Sequence, residues 1–177
     1  MMCRIALAFF TLLLHTAHSD VLSVSLYSPA MDTSLEAYLV LPASYDSSNR
    51  PYPAMYLLHG YDRNPSFWIH NVPLQNLADR HELIFVCPDG DNSWYLDSPV
   101  DSSLRYETYI STEIVRGVDS LVRTRACRDG RYLLGSSMGG YGALRLAARY
   151  DSVFCGASSI AGIVDLRDVP LRLGIRR

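Results

Sequence analysis

Short apolar runs alternate with segments of helical spacing along most of this chain. Residues 21–27 and 35–41 read as strands joined by SPAMDTS, and 54–58 is an apolar run after a proline-rich turn. Residues 72–80 predict a short helix, and 83–87 a buried strand closed by Pro88, Asp89 and Gly90. Within 107–122, Ile110, Ile114, Val118, Leu121 and Val122 recur at helical spacing, which predicts a helix with one apolar face. A strand at 131–134, a helix at 138–150 and a strand at 155–160 follow. Strands that alternate with helices predict an α/β fold, a mostly parallel sheet covered on both faces. The first two strands have no helix between them, so they predict an antiparallel hairpin at one edge. Chemistry in such sheets sits beyond the carboxyl ends of the strands. That places Ser137, Gly60 with Tyr61, and residues 89–94 on one rim.

Composition adds boundaries. Hydrophobic residues make up 49% and charged residues 19% of the 177, an ordinary balance for one domain. A net charge of −2 favours no partner, and no basic stretch suggests nucleic acid. The opening MMCRIALAFFTLLLHTAHSD differs from the rest. Arg4 precedes an apolar run over 5–14, and Ala17 and Ser19 form a small-x-small pattern. This predicts an export signal over 1–19 and a mature domain over 20–177, in a secreted or periplasmic protein. The run is too short for a membrane anchor, which needs ~20 residues.

Cys87, Cys127 and Cys155 then remain, and export permits a disulfide. Cys127 and Cys155 flank the strand at 131–134, so they are candidates to lie close; burial as small hydrophobes is the equal alternative. No Cys or His pair has zinc spacing, so no metal or other cofactor is expected.

The chemistry points to YLLGSSMGGYGAL. Gly135, Ser136, Ser137, Met138 and Gly139 spell G-x-S-x-G between a predicted strand and a predicted helix. A sharp turn there strains the serine backbone and turns Oγ outward, and the flanking glycines avoid collisions. The helix N-terminus favours negative charge, and the N–H of Met138 would face an oxyanion. The alternative is a structural turn or a phosphate loop. Neither G-x-G-x-x-G nor G-K-[ST] is present. A second donor is expected from AMYLLHGYDRNPSFW, where His59 and Gly60 turn the chain and free the N–H of Tyr61. His59 itself is expected to support the site and not to serve as base.

Four stretches, YLLHGYDRNPSFW, IFVCPDGDNSWYLDSP, YETYISTEIVRGVDS and LLGSSMGGYGALRLAARY, together resemble the esterase D branch of the α/β-hydrolases. That branch includes S-formylglutathione hydrolases, mycolyltransferases, and feruloyl and acetyl-xylan esterases. The resemblance covers roughly residues 22–165 in the family's order. It implies a three-layer α/β-hydrolase sandwich, Ser137 as nucleophile, and Tyr61 and Met138 as oxyanion donors. It also implies that residues 89–95, with Asp89, Trp94 and Tyr95, line the acyl or leaving-group side of the cleft.

The family's acid and base follow a later strand. Here His15, His18, His59, His70 and His81 all precede Ser137, and Asp165 and Asp168 lie too early to be carried over. The chain therefore reads as the first part of a hydrolase, incomplete at the C-terminus and weakly active or inactive alone. The expected substrate is an acylated polysaccharide or a small extracellular ester. The alternative is a non-catalytic remnant or a binding protein for glycan or peptide.

Overall fold

The computed structural model describes residues 21–168. The expected export signal and the final VPLRLGIRR beyond Asp168 lie outside the described residues. Six strands form one sheet in the order β1-β2-β4-β3-β5-β6. They are β1 (Val21–Ser28), β2 (Thr33–Val40), β3 (Ala54–Leu58), β4 (Ile84–Pro88), β5 (Arg131–Ser136) and β6 (Gly156–Ile160). β1 pairs antiparallel with β2, and β2 antiparallel with β4; the other pairings are parallel. The fold is the predicted one: a mostly parallel α/β sheet with an antiparallel N-terminal edge.

Alternation along the central strands divides the core in two. Ala54, Tyr56 and Leu58 of β3, Ile84 and Val86 of β4, and Leu133 of β5 face one layer of helices. That layer holds α4 (Ile114–Leu121) and α5 (Met138–Arg149), through Ile114, Val118, Ala143 and Leu146. Leu57, Phe85 and Cys87 face the other side with α1 (Phe67–Asn71) and α2 (Leu74–His81), through Trp68, Leu74 and Ala78. A period of two in the strands thus feeds two helical layers.

The helical predictions needed adjustment at two places. The helix expected over 72–80 begins at Leu74, because Val72 is extended before Pro73. The short helix α1 ahead of it was not anticipated. The helix expected over 107–122 is α3 (Tyr106–Thr108), a π-helical turn (Tyr109–Glu113) and α4 in succession. Ile110, Ile114, Val118 and Val122 are buried as expected, whereas Leu121 is 52% exposed. Cys87, Cys127 and Cys155 are all free thiols.

Candidate active site

Register assembles the rim. β3 pairs with β5 so that Leu58 faces Gly135, and β5 pairs with β6 so that Ser136 faces Ile160. The residues that follow these strands therefore emerge side by side. Ser137 is exposed and caps α5 with φ 54° and ψ −117°, a strained conformation for a residue with a Cβ. Its own N–H is tied to the carbonyl of Ile160 at 2.9 Å, which anchors the bend to β6.

The two motif glycines are required by close approach. A Cβ on Gly139 would collide with the Leu58 and His59 carbonyls, and one on Gly135 with the Gly139 backbone. α5 thereby lies against the end of β3, and Gly60 packs beside Ser137. Among the described residues the N–H groups of Tyr61 and Met138 have no hydrogen-bond acceptor. Met138 opens α5, so its N–H lies at the positive end of the helix.

His59 is fully buried and occupied at both ring nitrogens. The Gly90 N–H donates to Nε2 at 3.0 Å, which leaves Nδ1 to donate to the Gly60 carbonyl at 2.9 Å. These contacts define the neutral Nδ1–H tautomer, so the 3.6 Å approach of Asp89 to Nε2 is a near contact and not an ion pair. Burial pushes the Asp89 carboxyl up, but hydrogen bonding, including the Asp91 N–H that donates to Oδ1 at 2.9 Å, outweighs it and holds it below the usual range. His59 therefore joins the loops after β3 and β4.

One expectation is corrected. Tyr95 does not line a cleft; it is 1% exposed, its ring lies over Gly90 and Gly142, and its hydroxyl donates to the His59 carbonyl at 2.9 Å. Its neighbour Trp94 does reach a cavity, and its N–H points to Met138 Sδ at 3.4 Å.

Sequence reasoning missed Asn92. Its Oδ1 accepts the Asp62 N–H at 2.7 Å and its Nδ2 donates to Asp62 Oδ1 at 2.9 Å, a reciprocal clasp beside Tyr61. No local pattern signals a pair 30 residues apart. Strain marks the rim as a whole. Of the eight non-glycine residues with positive φ among the described residues, six (Asp62, Asp91, Trp94, Tyr95, Ser137 and Ala161) follow the ends of β3, β4, β5 or β6.

Among the described residues, no group of three or more His, Cys, Asp or Glu is arranged to hold a metal ion. No helix among them is long and apolar enough to cross a membrane.

Comparison with known proteins gives the family. The profile of the Esterase family matches residues 28–172. Over 133 residues the chain is 35% identical to Esterase Rv1288 of Mycobacterium tuberculosis, covering 73% of this chain and 29% of that protein. It is 25% identical over 156 residues to an acetyl esterase of Caldicellulosiruptor saccharolyticus, covering 84% and 58% of the two. The chain thus spans less than two thirds of either relative. The structure of FphF, a fluorophosphonate-binding serine hydrolase of Staphylococcus aureus, superposes with a TM-score of 0.77. That match has 23% identity, covers 85% of this chain and 60% of FphF, and shows a shared fold.

Proposed function

This chain belongs to the Esterase family, and from that premise we propose that it is a serine carboxylic-ester hydrolase working through an acyl-serine at Ser137. The observation that carries the proposal is the bend at φ 54° and ψ −117°, which exposes one hydroxyl at the start of α5. Ser137 Oγ attacks the ester carbonyl carbon, and the carbonyl electrons move onto oxygen. The N–H groups of Tyr61 and Met138 hold that oxyanion; losing one such donor costs ~3 kcal/mol of barrier. Collapse expels the alcohol with its proton and leaves acyl-Ser137. Water then attacks the acyl carbon and releases the acid.

The names of the two relatives, an esterase and an acetyl esterase, support ester chemistry. The export signal read in residues 1–19 favours extracellular esters, including acylated polysaccharide.

The Ser137 proton needs a base. His59 is unsuited, because both its nitrogens are engaged in the core. Among the described residues no histidine is hydrogen-bonded to Ser137. Residues 20–177 by themselves should therefore turn over p-nitrophenyl acetate only at the level that an oxyanion hole and binding sustain, ~10³–10⁴-fold over water. The same engagement of His59 favours a second reading, a hydrolase fold that binds glycan or peptide without turnover.

A fluorophosphonate probe separates the two. A covalent adduct on Ser137, lost in Ser137→Ala, is the expected result. No adduct, with no hydrolysis, would favour binding alone. Robust Ser137-dependent turnover by residues 20–177 would overturn the assignment of His59 as a supporting residue.

A further inference from the structure

Two braces from the loop after β4 hold the turn that carries the Tyr61 N–H, one on each side of it. The Gly60 carbonyl and the Tyr61 N–H belong to one planar trans peptide and point opposite ways, so whatever holds the carbonyl aims the N–H. That carbonyl accepts from His59 Nδ1 at 2.9 Å and from the Arg63 N–H at 3.2 Å. The second of these closes the turn over 60–63 and lies at the long end of the usual range. The peptide plane abuts the serine: a Cβ built on Gly60 would lie 3.5 Å from Ser137 Cβ.

Beyond Tyr61 the chain takes φ 55° at Asp62, a conformation that a residue with a Cβ keeps where its surroundings hold it. Asn92 supplies the hold, accepting the Asp62 N–H at 2.7 Å and donating to Asp62 Oδ1 at 2.9 Å. The N–H groups of Asp62 and Arg63 thus have acceptors within the turn and its brace, and that of Tyr61 is left for substrate. Asn92 is itself set by a stiff loop. The Gly90 N–H donates to His59 Nε2 at 3.0 Å, the Asp91 N–H to Asp89 Oδ1 at 2.9 Å, and the Ser93 N–H to the Gly90 carbonyl at 3.3 Å. Two residues past Asn92, the Trp94 ring lies 6.4 Å from that of Tyr61.

We propose that Asn92 is a positioning residue: its amide fixes the Tyr61–Asp62 peptide, and thereby the direction of the Tyr61 N–H toward the oxyanion. The proposal deepens the acyl-serine reading of Ser137 and rests on it. An amide that only fastened two loops would change how much of the protein is folded. It would not change the rate at which folded protein reacts.

The test is fluorophosphonate labelling of the full chain, with the maximal rate and the half-saturating probe concentration measured separately. Ser137 Oγ displaces fluoride from phosphorus, proton and fluoride pass to water, and the phosphonyl oxygen takes the oxyanion's place. Asn92→Ala should lower the maximal rate about ten-fold, less than the loss of a whole donor, and leave half-saturation and the labelled fraction unchanged. Asn92→Asp should do the same, because it sets a second carboxylate against Asp62, and it serves if Asn92→Ala does not fold. Exchanging the pair, Asn92→Asp with Asp62→Asn, restores one amide and one carboxylate and should return the rate to within about two-fold of the parent.

An unchanged rate in Asn92→Ala, a fall in labelled fraction alone, or no recovery in the exchanged pair would overturn the proposal. NMR on the same chain needs no reaction. Asn92→Ala should speed amide exchange at Asp62 and shift the Tyr61 N–H signal, and either one unmoved counts against the proposal whether or not Ser137 labels. Signals that move as expected in a chain whose Ser137 never labels sink the acyl-serine reading and leave Asn92 as the residue that aims the N–H.

Discussion

Replacing Glu107 by Gln should destabilise the fold by about 2 kcal/mol, because one carboxylate fastens the helix behind Ser137. Glu107 is 5% exposed. Its Oε2 accepts from Arg145 Nη1 at 2.7 Å, and its Oε1 accepts from the Tyr150 hydroxyl at 3.0 Å and from Arg149 Nε at 2.7 Å. All three partners lie on α5 or immediately after it. Arg149 is solvated, so its pair adds little. The Arg145 side chain is 28% exposed, so that contact is only partly screened.

A charge-assisted hydrogen bond is worth ~1.5–3 kcal/mol, and the amide keeps the Tyr150 bond while losing the charge, which gives the figure above. With a urea m-value of about 2 kcal/mol per M, the unfolding midpoint should fall by about 1 M. Urea titration of the full chain by circular dichroism reads this directly. A midpoint within about 0.2 M of the parent refutes the reasoning. So does an undiminished cost of Glu107→Gln in an Arg145→Gln background, which would show no coupling between the two.

Three other expectations concern the rim and the core. Gly139→Ala should lower stability by at least ~1–3 kcal/mol in thermal melting, because the obstructing atoms are Leu58 and His59 backbone that cannot rotate away; a parental melting temperature counts against this. Asp89 has a depressed folded-state pKa, so its contribution is complete above the unfolded value of ~3.9 and is lost as pH falls through the folded value. Asp89→Asn should therefore flatten the acid limb of stability below about pH 4, and an unchanged limb would show that its hydrogen bonds are replaceable. Cys127 is exposed, whereas burial pushes the Cys87 thiol up to about 12, so Ellman's reagent should modify Cys127 at once and Cys87 only on unfolding. Prompt modification of Cys87 would contradict the packing of β4.

Much of the fold was legible because its signals are local. The apolar runs at β3, β4 and β5 and the spacing of Ile110, Ile114 and Val118 each report which face is buried, and burial is decided within one element. G-x-S-x-G was legible for the same reason: a strand-to-helix bend needs glycines at fixed offsets from its strained residue. The break at Pro73 was also written locally, yet the periodic pattern around it hid the boundary. The π-helical turn at Tyr109–Glu113 left no mark, since it changes the pitch without changing the residue types.

The sequence by itself determined the order of the six strands, the antiparallel edge and the identity of Ser137 as the residue at the bend, because these follow from periodicity and turn stereochemistry. Only the tertiary structure decided that Tyr95 props the His59 carbonyl from below, that Asn92 clasps Asp62, and that both His59 nitrogens are taken. Apart from the His59 bond to its neighbour Gly60, those contacts join residues about 30 positions or more apart, and strand register sets such distances. Aromatic side chains read alike in a string of letters. Backbone direction turned Trp94 toward a cavity and Tyr95 into the core, each at a positive φ that few residues adopt unless the surrounding packing imposes it.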